Sequence, residues 1–195
     1  MDGFQRRKER KKESIQSAAL ALFKKYGIKK ISVAEIAKEA NVSQVTIYNY
    51  FGSKDDLVHA VIIYYIDEVW QDYEQLLESD LSFHEKIRQV IFKEGELAGQ
   101  ISETFFGEFM KHYSEAEKYI DDHFQNKILP KLIRFFDEGK EQGYINPDIS
   151  NEAILFYSQM FIEAMQREDV YTKVLPMAED IVTLFFYGIF GKNKE

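Results

Sequence analysis

The chain has no cysteine, and only three prolines and ten glycines among its 195 residues. Without cysteine it has no disulfide, thiolate metal ligand or cysteine nucleophile, which fits a reducing compartment. The longest apolar run, residues 181–190, is shorter than the roughly 20 residues of a membrane-spanning helix. The charged N-terminus lacks the apolar segment of a secretion signal. We therefore expect a soluble, cytoplasmic protein with no membrane partner.

The scarcity of proline and glycine leaves long stretches free to form helices. No stretch of four to eight residues alternates between polar and apolar side chains as a half-buried strand would. Serine followed three residues later by an acid caps helix N-termini, and it occurs at Ser32/Glu35, Ser53/Asp56, Ser82/Glu85 and Ser114/Glu117. We predict an all-α fold, and the 45% hydrophobic content is sufficient for a packed core.

The net charge of −8 is distributed unevenly along the chain. Residues 1–54 contain 12 basic and 5 acidic residues, a net charge of +7, whereas the remaining 141 residues contain 13 basic and 28 acidic residues, a net charge of −15. A basic segment joined to an acidic one is typical of a polyanion-binding module attached to another domain. Solvated helix faces also carry charge runs, so charge alone leaves both interpretations open.

Residues 32–57 contain two short apolar patterns separated by Asn41-Val42-Ser43. Behind a first helix over about residues 5–26, the spacing predicts a short helix over 33–40 and another that begins after the N-cap residue Ser43. Asparagine tolerates the left-handed conformation that a tight turn between them needs. Two short helices joined in this way form a helix-turn-helix, whose second helix is sized to enter the DNA major groove.

With Ile47 and Phe51 facing the core, the second helix presents a mixed polar and aromatic face to solvent. Glutamine and asparagine can pair with adenine, threonine and valine can contact a thymine methyl group, and tyrosine can reach phosphate. Lys54, in the first turn of the next helix, is a candidate phosphate contact. An ordinary helical corner with a polar outer face is the alternative. The candidate residues are Gln44, Val45, Thr46, Tyr48, Asn49 and Tyr50.

The run ISVAEIAKEANVSQVTIYNYFGSKDDL, residues 31–57, resembles the DNA-binding signature of TetR-family bacterial transcriptional regulators. The resemblance covers about 50 residues and implies a transcriptional regulator whose second domain binds a small inducer. It would add Ser32 and Ala34 to the DNA contacts named above. Asn41 stands where the family commonly has glycine, and Val45 where a small residue is frequent. We accordingly predict a DNA-binding domain over residues 1–53 and a ligand-binding and dimerisation domain over 54–195, with helix 54–77 linking them.

Phenylalanine is concentrated in the second domain, with 13 of the 16 residues beyond position 78. Aromatic residues at helical spacing most often form a core, but this number of rings also suits an apolar ligand cavity between helices. His112 and His123 match no common metal-ligand spacing, and we predict neither a metal site nor a cofactor. Candidate ligand-lining residues are Phe92, Phe105, Phe106, Phe109, Tyr113, Phe124 and Phe135. Glu96, Glu103 and Glu108 could select a cation, although such acids are more often solvated.

The last two predicted helices, over about residues 150–167 and 173–190, are apolar on more than one face. A helix with two apolar sides must be covered twice, which favours a two-fold homodimer built as a four-helix bundle. Such a homodimer would present two recognition helices to a palindromic operator. The candidate interface residues are Tyr157, Met160, Phe161, Ala164, Ala178, Val182, Phe185, Phe186 and Ile189.

We predict a transcriptional regulator, most simply a repressor, that a small apolar or amphipathic inducer releases from its operator. A helical enzyme using carboxylates, or a protein-binding adaptor, is the alternative. The chain lacks the nucleophile, nucleotide-binding and zinc-protease motifs that would favour an enzyme.

Overall fold

The computed structural model describes residues 3–100, 102–165 and 167–189. Within these ranges, the side chains of residues 91, 92, 94–100, 114, 115, 117, 162, 165, 168, 171, 175, 179, 182, 186 and 189 are not described. The described elements are all helical, so the predicted all-α fold is confirmed. None of the described helices is long and apolar enough to cross a membrane.

The chain divides into two compact units, and each is described by itself. The N-terminal unit comprises Met1–Val69 and Gln100–Ala116, and the C-terminal unit comprises Trp70–Gly99 and Glu117–Glu195. This division falls inside a helix, after Val69, whereas the predicted domain boundary lies between residues 53 and 54. The packing therefore groups part of the predicted ligand-binding domain with the DNA-binding helices.

The N-terminal unit contains α1 (Gly3–Tyr26), α2 (Val33–Glu39), α3 (Gln44–Phe51), the first part of α4 (Lys54–Leu77), and α6 (Glu103–Glu115). Its core is one cluster of aliphatic and aromatic side chains to which all five helices contribute. Ile15 and Phe23 of α1, Ile36 of α2 and Ile47 of α3 are completely buried. The prediction that Ile47 faces the core is therefore confirmed.

The C-terminal unit contains the end of α4, α5 (Phe83–Gln100), α7 (Glu117–His123), α8 (Leu129–Glu141), α9 (Asn151–Met165), α10 (Glu168–Val174) and α11 (Ala178–Ile189). The ring of Phe83 stacks on Phe135 with centroids 4.6 Å apart. Gly139 allows this packing, because a Cβ there would lie 2.6 Å from the Phe83 ring. Lys86 is buried beside this core, and its ammonium lies 3.1 Å from a carboxylate oxygen of Glu138.

Two helical stretches are interrupted near proline. Residues 117–141 are divided into α7, a π-helical turn at Phe124–Ile128, and α8. Pro130 has no N–H to donate to a helical hydrogen bond. The N–H of Leu129, just before it, bonds the carbonyl of Phe124 five residues earlier, which is the π-helical spacing. The helix predicted over 173–190 begins only at Ala178, since a 3₁₀ turn at Leu175–Met177, which contains Pro176, separates α10 from α11.

Candidate nucleic-acid interface

The start of α2 is fixed by a capping box between Ser32 and Glu35. The Ser32 hydroxyl accepts from the Glu35 N–H at 3.3 Å, and the Glu35 carboxylate accepts from the Ser32 N–H at 2.8 Å and the Ser32 hydroxyl at 2.6 Å. These bonds lower the pKa of Glu35, the hydroxyl contributing most and the nearby Lys54 ammonium a smaller part. Ser32 and Ala34 are both exposed, so the predicted contact residues of α2 are accessible at its N-terminal end.

The turn between α2 and α3 depends on Asn41, which has a φ of 52° and is the only described residue other than glycine with a positive φ. The N–H of Val42 then bonds the carbonyl of Ala37 at 2.9 Å, which closes the turn. The prediction that Asn41 adopts the left-handed conformation is confirmed. This geometry sets the angle at which α3 leaves α2.

The helix α3 is capped by Ser43, whose hydroxyl accepts from the Thr46 N–H at 3.0 Å and lies 2.8 Å from the Thr46 hydroxyl. The buried Ile47 anchors its inner face. On the outer face, Val45 is 66% exposed and Tyr48 is 46% exposed. Gln44 and Asn49 are exposed beside them. Gln44, Val45, Tyr48 and Asn49 together form an exposed surface, which we call the α3 outer face.

The other predicted contact residues are less accessible than the α3 outer face. Tyr50 is half-buried, packs against the core of the N-terminal unit and contacts the Phe51 ring at a centroid distance of 6.4 Å. Thr46 is also half-buried. Lys54 is half-buried at the first position of α4, whose start is capped by Ser53 accepting from the Asp56 N–H at 3.0 Å.

A contact that sequence reasoning missed links α6 to the segment before α2. The Glu108 carboxylate accepts from the N–H of Ile28 at 2.5 Å and from that of Lys29 at 3.3 Å. Glu108 is half-exposed and in addition holds this backbone segment, a role that the interpretation as a solvated or cation-selecting acid did not include. The two residues are 80 positions apart, and no local sequence signal predicts such a pairing.

The aromatic residues predicted to line a ligand cavity fall into different environments. Phe105 and Phe109 contact Tyr65 in the core of the N-terminal unit at centroid distances of 5.9 and 5.4 Å, and Tyr113 contacts Phe109 at 5.9 Å. Phe135 belongs to the core of the C-terminal unit. Phe106 and Phe124 are half-buried, and the side chain of Phe92 lies outside the described residues. Among the described residues, no cluster of three or more histidine or acidic side chains could hold a metal ion.

The predicted dimer residues include a ring cluster on α9 and α11. Tyr157 stacks on Phe185 at 5.0 Å, and Phe161 meets both rings edge to face. Met160 is exposed, and Ala164 and Ala178 are half-buried. The side chains of Val182, Phe186 and Ile189 lie outside the described residues. Sequence reasoning missed Phe156, Leu184 and Tyr187, which are 68%, 67% and 57% exposed.

The capped short helix α3 has an exposed polar and aromatic face, and a tight turn sets it against the short helix α2. This arrangement is the helix-turn-helix of DNA-binding proteins. Residues 15–61 match the model of the family described as bacterial regulatory proteins, tetR family. Residues 15–61 therefore correspond to the DNA-binding domain of TetR-family transcriptional regulators, and the relatives of the chain are named as regulators and not as enzymes. Regulators of this family bind DNA and small-molecule ligands and act as dimers. The predicted function of a ligand-responsive DNA-binding regulator is thus confirmed at the level of the family.

Individual relatives extend the similarity beyond the DNA-binding helices. The chain is 27% identical over 139 residues to the uncharacterized HTH-type transcriptional regulator YhgD of Bacillus subtilis, covering 70% of this chain and 73% of the relative. It is 23% identical over 154 residues to the HTH-type transcriptional repressor KstR2 of Mycobacterium tuberculosis, covering 74% of each. The fold is similar to that of FadR from Bacillus subtilis, solved with stearoyl-CoA, with a TM-score of 0.61, 21% identity, and 90% of this chain and 98% of that chain covered.

Proposed function

We propose that this chain is a repressor that binds a palindromic operator as a two-fold dimer, reads the operator with α3, and is released by a small apolar or amphipathic molecule. The observation that supports operator reading best is the α3 outer face. Gln44 and Asn49 have the donor and acceptor pair that matches adenine in the major groove, and Val45 can contact a thymine methyl group. An exposed valine and tyrosine on so short a helix also favour a surface that a partner covers.

The residues around α3 are proposed to position it on the duplex. Lys54 supplies a charge for phosphate at the start of α4, and Ser32 and Ala34 lie at the exposed start of α2. The Tyr48 hydroxyl can donate to phosphate without adding charge. We assign Thr46 and Tyr50 to the edge of the interface because both are half-buried.

The dimer is proposed to form through α9 and α11. The exposed apolar side chains on these helices, Phe156, Tyr157, Met160, Leu184 and Tyr187, supply the apolar area that stable dimer interfaces bury. Phe161 and Phe185 support this surface through the ring cluster. A two-fold interface of this kind would present two α3 helices to the half-sites of a palindrome.

The inducer is proposed to be apolar or amphipathic because the predicted ligand domain is rich in phenylalanine, and the predicted aromatic residues remain candidates for its contacts. The relative of similar fold that was solved with stearoyl-CoA suggests a long-chain acyl-CoA as one member of a test panel. A molecule that binds the DNA-free state preferentially should both raise the melting temperature and weaken operator binding.

An electrophoretic mobility shift tests the proposal directly. DNA from upstream of the chain's own gene and a scrambled duplex of the same composition are compared at about 50 and 200 mM salt, since non-specific binding weakens steeply over this range. We expect the upstream duplex to bind on the order of 10³-fold more tightly or better, and stearoyl-CoA or a free fatty acid to release it. Equal affinity for the two duplexes at both salt concentrations would contradict the proposal.

A further inference from the structure

The first three turns of α1 lie outside the packed part of the N-terminal unit. Ile15 is the first buried residue of this helix. Six basic residues precede Ile15, of which five are exposed and Lys12 is half-buried. The family match also begins only at residue 15. The basic residues are Arg6, Arg7, Lys8, Arg10, Lys11 and Lys12, and the segment over residues 3–12 is called the basic extension.

The charges of the basic extension are arranged unfavourably for an isolated helix. Arg6 and Arg10, Arg7 and Lys11, and Lys8 and Lys12 are like-charged pairs at i and i+4, a spacing at which like charges repel on a helix surface. The ion pairs found among the described residues involve none of these six side chains. Glu9 instead accepts from the Gln5 amide at 2.7 Å. Such an arrangement is stabilised when a polyanion covers it.

The basic extension belongs to the same compact unit as the proposed DNA contacts of α3 and Lys54, and α1 is joined to α4 in this unit. The Gln16 amide donates to the Ala60 carbonyl at 2.9 Å, and the Lys24 ammonium lies 4.4 Å from the centroid of the Tyr65 ring. Both contacts lie within the N-terminal unit, which also contains α3 and Lys54.

Arg6, Arg7, Arg10 and Lys11 are all exposed on α1. Arg6 and Arg10 are four residues apart, as are Arg7 and Lys11, so the members of each pair are neighbours on the helix surface. At a rise of 1.5 Å per residue, about 6 Å along the helix axis separates the two members of each pair.

We propose that the basic extension is a second DNA contact, in which Arg6, Arg7, Arg10 and Lys11 bind the phosphates of double-stranded DNA without regard to base sequence. This inference rests on the proposed function, since the extension shares a compact unit with α3 and Lys54, which are proposed to contact DNA. Arginine and lysine on an exposed helix neutralise backbone phosphates and release condensed counterions. The extension adds affinity and salt dependence, and α3 supplies the discrimination between sequences.

The test replaces these four residues together with glutamine, which retains high helix propensity and removes four charges. The matched control replaces Arg88, Lys118, Lys127 and Arg134 with glutamine, which removes four exposed charges from the C-terminal unit. Affinity for operator and scrambled duplexes is measured over a salt series by fluorescence anisotropy, and the melting temperature is recorded for each protein.

The extension variant is expected to lose at least about tenfold in affinity for both duplexes at low salt, with an unchanged ratio between them. Its plot of log K against log salt should become less steep by roughly 0.9 for each phosphate contact removed per subunit. The control variant should change both quantities much less. The melting temperature of the extension variant should stay the same or rise, because repulsion is removed and no buried contact is lost.

Failure of this inference differs from failure of the proposed function. If the unmodified protein prefers its operator, and the extension and control variants have the same salt slope and affinity, the extension does not bind DNA although α3 does. The inference is also overturned if the extension variant melts at a lower temperature and the resulting loss of folded protein explains its weaker binding. If the unmodified protein binds operator and scrambled DNA equally, the proposed function itself fails.

Discussion

The Glu108 carboxylate on α6 accepts from the Ile28 N–H at 2.5 Å, in the segment that joins α1 to α2. Gly27 lies directly before this contact with a φ of +87°, and a Cβ there would meet Thr104 at 2.9 Å and Glu108 at 3.2 Å. Glycine therefore permits both the backbone conformation and the close approach of α6. Because α2 begins only five residues after Ile28, this contact helps to fix how the helix-turn-helix leaves α1.

Replacing Glu108 with alanine should destabilise the N-terminal unit, because the Ile28 N–H would lose its acceptor next to a buried side chain. A hydrogen bond to a charged group contributes about 1.5–3 kcal/mol, and we expect a loss of unfolding free energy in this range. Glu108→Gln, which keeps an oxygen acceptor, should lose less. Denaturant unfolding measures both variants, with Glu103→Gln, an exposed acid on the same helix, as control. Equal effects of Glu108→Ala and Glu103→Gln would show that the contact adds no stability.

The left-handed conformation of Asn41 predicts opposite results for two small substitutions. Asn41→Ala should destabilise the protein by about 1 kcal/mol, since a residue with a Cβ and no local polar group is strained at positive φ. Asn41→Gly should be neutral or slightly stabilising, because glycine adopts this conformation without strain. Thermal unfolding of the two variants checks the order. An alanine variant as stable as the glycine variant would mean that the turn relaxes to another conformation.

The contrast between Asn41 and Glu108 shows what a single sequence reveals. The turn at Asn41 and the caps at Ser32, Ser53 and Ser82 involve neighbours in sequence, and their residue types predict them directly. Glu108 contacts a backbone 80 residues away, so its role depends on how α6 packs. The exposure of Phe156 and Leu184 could not be predicted either, since periodicity identifies apolar faces but not which face the chain itself covers. The predicted cap at Ser114/Glu117 lies outside the described side chains, whereas Ser102 caps α6.

The cap of α5 predicts a pH-dependent contribution to stability. The Ser82 hydroxyl and N–H both bond the Glu85 carboxylate and lower the pKa of Glu85, the hydroxyl having the larger effect. Because the folded state favours the ionised form, this stabilisation is complete above the ordinary glutamate pKa of about 4.3 and is lost as pH falls through the lower pKa of the folded state.

Glu85→Gln removes this titration while keeping an acceptor for the cap. The melting temperature of the variant should be below that of the unmodified protein at pH 7, and the difference should shrink below about pH 4.3. Glu141→Gln, at an exposed acid of α8, serves as the comparison. A difference that stays constant from neutral to acidic pH would show that ionisation of Glu85 does not stabilise the helix.

The exposed apolar side chains of α9 and α11 predict a dimer that charge can divide. Phe156→Glu with Leu184→Glu places two charges at positions that are 68% and 67% exposed in one chain. Folding should therefore be retained, whereas association should weaken by several kcal/mol because the charges would be desolvated in the interface. The control, Gln71→Glu with Gln125→Glu, adds the same charge at exposed positions of the C-terminal unit. Sedimentation at micromolar concentration should give a dimer for the unmodified and control proteins. A monomeric unmodified protein would contradict this interface.

The central claim is that α3 reads base sequence, and affinities for operator and scrambled duplexes test it most directly. Gln44→Ala and Asn49→Ala should each lose about 1–3 kcal/mol on the operator, with little change on the scrambled duplex. Lys54→Ala should weaken binding to both duplexes alike and flatten the salt dependence by about one unit per subunit. Tyr48→Phe should weaken both alike without changing the salt slope. If the unmodified protein and the Gln44 and Asn49 variants all bind the two duplexes with equal affinity, α3 does not read sequence.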